Sequence, residues 1–496
     1  MKTQATAKHA GHAAHTQDAN AHALPGTFKR PVKITVTGAG SGFTPRILND
    51  ILKIPDTRGG TFALVDIDAG RLRVMKKIIT ALCAQTEGGG SWKVVASTDR
   101  RKVLKSTDYL INTIEVSGAE CVHLDNDIPL KYGIDQCIGD TIGPGGLFKG
   151  LRTIPVWLEI LRDCEELCPD AWVLNYTNPM AMLCLASARA SSMRVVGLCH
   201  SVQGTSRLLA KYAGVPYDEM DWTCAGINHL AWFTRLVHKG KDLYPFLHRK
   251  FRKEIVEALR ESEAGKGVHD SRDTKLTNET PPYTHTDLVR KDMCVHFGAF
   301  ITESSGHLSE YLPYYRKSEE GRKLLRLGYD GGSRFYATNW PTWRKQADAD
   351  RTALLKGGKS MDWARSWEYA SWIIEAREKN APFRFHGNVY NGGAGGGRLI
   401  TNLPGDSCVE VACLADGNGV QPTRYGALPP QMAALCASNL AMFDCAANAA
   451  VHRSIEEAVH ALYLDPYCAA VLTPAQIRAM TLEMFEAEKE YLPGFT

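Results

Sequence analysis

No stretch of this chain stays apolar for the ~18 residues that a membrane-crossing helix needs, so the sequence predicts no membrane span. An excess of one charge is also missing. Lys and Arg number 58 against 54 Asp and Glu, a formal +4, too small to select nucleic acid or an anionic membrane as partner. Short basic stretches such as Arg100-Arg101-Lys102 read as solvated surface. Nor is there a disulfide framework. The 14 cysteines in 496 residues are dilute and irregularly spaced, and free thiols acting as small buried hydrophobes fit a reducing, cytoplasmic compartment. The amino terminus lacks the apolar core and twin arginine of an export signal. Residues 1–30, with His9, His12, His15 and His22, read as a disordered tail rather than a metal site.

What is present is an ordinary globular composition, 44% hydrophobic and 23% charged, long enough for two joined domains. Residues 31–210 alternate short apolar runs with helical segments. The runs are Val32–Val36, Phe62–Asp68, Asp108–Thr113, Ala171–Tyr176 and Arg194–Cys199, and the helical segments include Ile154–Leu161, with Pro155 early in it. That rhythm predicts an α/β fold with a Rossmann-like, doubly wound sheet. Beyond ~210 the pattern breaks into short strand-like pieces, a polar stretch near 263–281, a glycine-rich segment at 391–397 and a strand at Cys408. Capping boxes at Ser454–Glu457 and Thr473–Gln476 start two terminal helices. Residues 211–496 therefore read as an α+β catalytic and oligomerisation domain.

Two motifs carry chemistry. Val36-Thr37-Gly38-Ala39-Gly40-Ser41-Gly42-Phe43 is a glycine turn between strand and helix, where backbone N–H groups can approach a pyrophosphate. The third glycine of the usual fingerprint is replaced by Phe43. Asp66 ends the next strand 26 residues after Gly40, where a carboxylate suits a ribose diol and favours NAD over NADP. Asn112, at a later strand end, lies along the same crevice or satisfies loop backbone there. The second motif pairs Cys199, at the end of a strand, with His229 in a polar break thirty residues on. As spacing this is a weak metal signature, and a buried thiol and a capped imidazole are the bland alternatives. Two protein ligands would leave positions open for substrate oxygens.

Further motifs add a resemblance. Gly38–Ser41, Asp66–Asp68, Asp140–Gly146, Asn175–Met180, Gly197–Thr205, Cys224–His229, Thr302–His307 and Asn402–Asp406 are similar to family 4 of the glycoside hydrolases, over about 32–493. The resemblance implies a bound catalytic NAD, a divalent metal such as Mn²⁺ on Cys199 and His229, oxidation and elimination rather than two-carboxylate chemistry, and a homodimer or homotetramer. It implies Asn178 as a substrate ligand, Asp135 and Asp140 near the sugar, and His200 or Asp140 as acid. Asp292 falls where a carboxylate base stands in some members, although Lys291 beside it departs from the pattern. Cys199-His200-Ser201 resembles the branch acting on unphosphorylated α-hexosides, α-galactosides first. Gly306 departs from the acidic residue expected there, which keeps a uronide or another C6-anionic hexoside open, with His307 or Arg316 to meet it. A hydroxy-acid dehydrogenase would share the nucleotide half, and an idle sugar or NAD sensor is the remaining class.

Overall fold

The computed structural model describes residues 23–263, 283–357, 360–392 and 397–496. The four tail histidines, most of the 263–281 stretch and the centre of the glycine-rich segment lie outside them. Residues 24–30 were expected in the tail, yet they are packed. Leu24 and Phe28 are buried, Leu24 N–H donates to Glu375, and Arg30 pairs with Asp108 and Glu378. Two apolar side chains and one arginine hold that segment down.

Six parallel strands form the nucleotide half: β1 Val32–Thr37, β2 Gly60–Val65, β3 Trp92–Ser97, β4 Tyr109–Asn112, β5 Trp172–Asn175 and β6 Arg194–Gly197. Their order is β3-β2-β1-β4-β5-β6, so the direction of winding reverses between β1 and β4. A crevice outside the carboxyl ends of the strands opens at such a reversal. β3 was not foreseen. Its Trp92 stacks on Phe62 at 4.1 Å, but only Trp92 in that strand is buried, so no apolar run marks it. The helix expected near Ile154 in fact spans Gly143–Leu167, with Pro155 in its interior. It begins at the glycine turn of the Asp140–Gly146 motif.

The second half extends the same sheet. Its strands are β7 Met220–Ile227, β8 Leu230–His238, β9 Lys241–Asp242, β10 Phe300–Ile301, β11 Phe383–Tyr390, β12 Cys408–Asp416 and β13 Gly419–Pro422. Beyond β6 the order continues β11-β12-β7-β8-β10, joined antiparallel through single residue pairs, Asn388 with Gly197 and Glu410 with Gly226. The two halves therefore share one 13-stranded sheet, and helix Ser201–Ala213 runs across the boundary expected at 210. All 14 cysteines are free thiols, and most are buried. Thr473 forms the complete reciprocal cap with Gln476, and Ser454 accepts from Glu457 N–H. One helix, Pro430–His452, is long and apolar enough to cross a membrane, against expectation, and half of it is buried within the molecule. It packs on helices Gly143–Leu167 and Met180–Ala190.

Gly197 sits at the joint between the halves. A Cβ there would come within 2.5 Å of Met180 Sδ, 2.7 Å of Cys184 Sγ and 2.9 Å of Asn388 Cβ. Gly197→Ala is expected to destabilise the fold by about 1–3 kcal/mol, the usual range for an overpacked core. Thermal unfolding measures this, and an unchanged melting temperature would contradict it.

Candidate active site

Three chain segments end at one place. Cys199 follows β6 by two residues, at the carboxyl edge of the parallel strands. His229 occupies the two-residue turn between β7 and β8, where Ile227 pairs with Leu230. A turn that short needs a left-handed residue, and His229 takes that conformation with φ 63°. β10 pairs with β8 through Ile301 and Trp232, and Thr302 N–H donates to Ala231 O at 2.9 Å. The next residue, Glu303, is also left-handed, φ 68°. Two non-glycine residues held at positive φ are strained backbone maintained by their surroundings. The result is a thiol sulfur, an imidazole nitrogen and a carboxylate oxygen from Cys199, His229 and Glu303, all within 4.8 Å of one another. Glu303 was not singled out in advance. It lay in the Thr302–His307 motif, but a two-residue strand gives no periodicity to place it.

The neighbours are polar and interlocked. His307 Nδ1 lies 3.6 Å from Glu303, and its Nε2 lies 3.6 Å from Asp140 Oδ1. Asn178 Nδ2 donates to Asp140 Oδ2 at 3.1 Å. Lys149, also unforeseen, lies 3.0 Å from Glu115 and 3.8 Å from Asp140. A lone lysine among Leu147, Phe148 and Leu151 on a buried helix was the available signal, since a buried cation requires a partner. His200 is half-exposed at the rim, 3.6 Å from Glu368.

Charge states follow from burial and pairing. Burial pushes the His229 pKa down to about 4, so near neutral pH the ring is uncharged and keeps a lone pair for a metal. Burial would raise Glu303, but His229, His307 and the Tyr329 hydroxyl outweigh it and bring it to about 2. Burial likewise opposes ionisation of Asp140, yet the His307 hydrogen bond and the Lys149 charge hold it well below the usual carboxylate range. His307 is raised, because Glu303 and Asp140 together exceed the effect of burial. Burial, reinforced by Glu303 and Glu410, pushes the Cys199 thiol well up. Behind it, burial and Glu303 raise Glu410 to about 8, which keeps it protonated at neutral pH.

Three expected residues make their interactions outside this cluster. Asp292 interacts with Tyr315, whose hydroxyl donates to it at 2.7 Å, and with His296, and among the described residues no interaction joins it to the cluster. The turn of helix Leu288–Phe297 directs Arg290 inward, to Asp287 and Thr205, and leaves Asp292 on another face. Asp135 and Arg316 are fully buried and paired with each other at 2.9 Å. Asp135 also accepts from Ser333, and Arg316 donates to Ser309 and Gly331 O. Neither is free to meet a sugar.

The dinucleotide turn keeps its form. Gly38 has φ 72°, a Cβ at Gly42 would meet nothing within 4 Å, and no side chain caps helix Thr44–Leu52. That leaves open space at a helix amino terminus, at the point where the winding reverses, which fits a dinucleotide. Asp66 Oδ2 accepts from Gly40 N–H at 2.7 Å and Oδ1 from Asp68 N–H. Ser41 Oγ accepts from Phe43 N–H. The Asn112 side chain is engaged inside the sheet, accepting from Thr37 and donating to Asn175 and Thr177. The trio fits a divalent cation by its donor chemistry, since a sulfur, a carboxylate oxygen and an imidazole whose Nε2 lies 3.6 Å from that carboxylate converge in one place.

The family 4 glycosyl hydrolase model matches residues 33–215, and the model of that family's C-terminal domain matches 224–468. An α-galactosidase of Bacillus subtilis (strain 168) is 38% identical over 467 residues, covering 93% of this chain and 99% of that one. An α-galactosidase of Rhizobium meliloti (strain 1021) is 36% identical over 472 residues, covering 93% and 89%. Among solved structures, a 6-phospho-α-glucosidase from gut microorganisms, in complex with NAD and Mn²⁺, superposes with a TM-score of 0.75. It is 21% identical, and the match covers 94% of this chain and all of that one.

A protonated thiol must release its proton before it binds a cation. Mn²⁺ binding is therefore expected to expel about one proton near pH 7 and to weaken about tenfold per unit as pH falls below that. Calorimetry in buffers of different ionisation enthalpy measures the proton. Binding with no proton release would contradict the assignment of Cys199.

Proposed function

The chain belongs to family 4 of the glycosyl hydrolases, and from that membership we propose that it hydrolyses α-hexosides, α-galactosides first, with NAD and a divalent cation such as Mn²⁺. The observation that carries the reading is the thiol, imidazole and carboxylate gathered within 4.8 Å at the carboxyl edge of a dinucleotide-type sheet. Cys199, His229 and Glu303 would hold the cation, and the Gly38–Gly42 turn with Asp66 would hold the dinucleotide. When bound, the two groups supply reversible oxidation of the sugar at C3 and polarisation of the neighbouring oxygens, which makes the C2 proton acidic.

The protein side chains carry the remaining work. Glu303, ionised and buried, would hold the cation through one carboxylate oxygen and accept the C2 proton through the other, in the role the sequence pattern suggested for Asp292. His307, whose imidazolium is favoured by Glu303 and Asp140, is the group of the cluster with a proton to give to a departing oxygen. Asp140 is held ionised, so it orients His307 and Asn178 rather than acting as an acid itself. His200, half-exposed 3.6 Å from Glu368, would stand on the side from which the aglycone departs. Proton removal at C2, loss of the C1 substituent, addition of water at C1 and restoration of C3 sum to hydrolysis.

A neutral sugar is favoured by the charge inventory. The cations described at the site, Lys149 and His307, each face two carboxylates, and Arg316 is committed to Asp135. None of these three is left over for a C6 carboxylate. The 38% identity to an α-galactosidase supports the same choice.

Release of nitrophenol from nitrophenyl α-galactoside is expected to require both NAD and Mn²⁺. Glu303→Gln is expected to lower kcat by on the order of 10²–10⁴, the usual contribution of a general base, while Asp292→Asn turns over like the parent. Faster cleavage of the α-galacturonide would overturn the substrate choice, and undiminished cleavage without the additives would overturn the mechanism.

A further inference from the structure

Gly306, where an acidic residue was expected, packs under a turn that reaches into the site. A Cβ at 306 would press into the carbonyl oxygen of Tyr329 and lie 3.0 Å from Cys137 Sγ. A backbone oxygen cannot move aside as a flexible side chain does, so any residue but glycine there must lift the turn at 328–332. The turn has little freedom to lift. Arg316 Nη2 donates to Gly331 O at 2.8 Å, Asp287 N–H donates to Asp330 at 3.1 Å, and Cys137 Sγ lies 3.5 Å from Gly328 O. Its apex delivers Tyr329, whose hydroxyl donates to Glu303 Oε1 at 2.9 Å. The Tyr329 ring stands edge-on to His307, centroids 5.4 Å apart. Glu303 itself sits in a left-handed conformation, which by itself does not fix where its carboxylate points.

We propose that Tyr329 is a positioning residue that aims the Glu303 carboxylate at the cation and the reacting carbon, and that Gly306 is the residue that lets it reach. The buried pair Arg316–Asp135, unavailable to substrate, acts here by holding the turn from below. This rests on the reading of Cys199, His229 and Glu303 as the cation site. One hydroxyl then links the 328–332 turn to the group that binds metal or takes a proton. Partners of this kind typically contribute 10–100-fold to metal affinity or activity.

The test titrates Mn²⁺ alone into the full-length protein and follows the paramagnetic signal of the free ion, with nitrophenyl α-galactoside kinetics alongside. Tyr329→Phe removes only the hydroxyl from a side chain that is 41% exposed, so the fold is expected to survive. It should weaken Mn²⁺ by on the order of tenfold and lower kcat by a similar factor, with KM nearly unchanged. Gly306→Ala should do the same, and the double variant should be no worse than either single, because both remove one interaction. Tyr329→Phe binding Mn²⁺ and turning over like the parent would overturn the inference even if Gly306→Ala does not fold, and so would single effects that multiply in the double variant. A parent protein that binds no Mn²⁺ overturns the cation site itself, a result distinguishable from failure of Tyr329 alone.

Discussion

The account depends on the junction where the antiparallel strands attach to the edge of the parallel ones. One residue pair makes that junction, Gly197 with Asn388, and a second single pair, Gly226 with Glu410, joins β7 to β12 further along the sheet. Gly197 lets β6 and β11 meet closely, because a Cβ there would lie 2.9 Å from Asn388 Cβ, and Cys199 and His229 follow just beyond β6 and β7. A nucleotide-type crevice and a soft-ligand pair, far apart in sequence, thereby come to share one sheet edge. The short β10 then adds Glu303 by pairing along β8. Three ligating atoms of different chemistry arise from backbone pairing rather than from a local sequence motif.

Holding these groups together is costly. His229 and Glu303 occupy left-handed backbone, which disfavours side chains with a Cβ. Burial works against the charges of Cys199, Glu303 and Asp140, and Glu410 stays neutral behind them. A divalent cation would offset several of these terms together by neutralising the carboxylate, accepting the thiolate and fixing the imidazole. The strain and the opposed charges are thus understandable as features of a site completed by its ligand.

Much of the nucleotide half was legible in the sequence because parallel strands buried on both faces appear as continuous apolar runs. β1, β2, β4, β5 and β6 were read in this way, as was the glycine turn after β1. β3 escaped because only one of its residues is buried. In the second half, what mattered was set by contacts that no periodicity records. Cys199 and His229 could be named through the motifs around them. Glu303 could not be singled out, because its role comes from a two-residue strand pairing across the site. Asp292 takes Tyr315 and His296 as partners while its helix turns Arg290 toward Asp287 and Thr205, and adjacency in sequence does not reveal which residue of a helix faces inward. Asp135 and Arg316 look like a site pair by type, but burial has joined them to each other. Lys149 shows the reverse case, since its isolation among apolar neighbours was itself the clue.

The central claim is that one cation is held by Cys199, His229 and Glu303 beside the nucleotide crevice. Anomalous diffraction from a crystal soaked in Mn²⁺ tests it most directly. The account predicts a single strong peak within coordination distance of the Cys199 sulfur and the His229 ring. A strong peak elsewhere, or none at those side chains under conditions that support turnover, would contradict it.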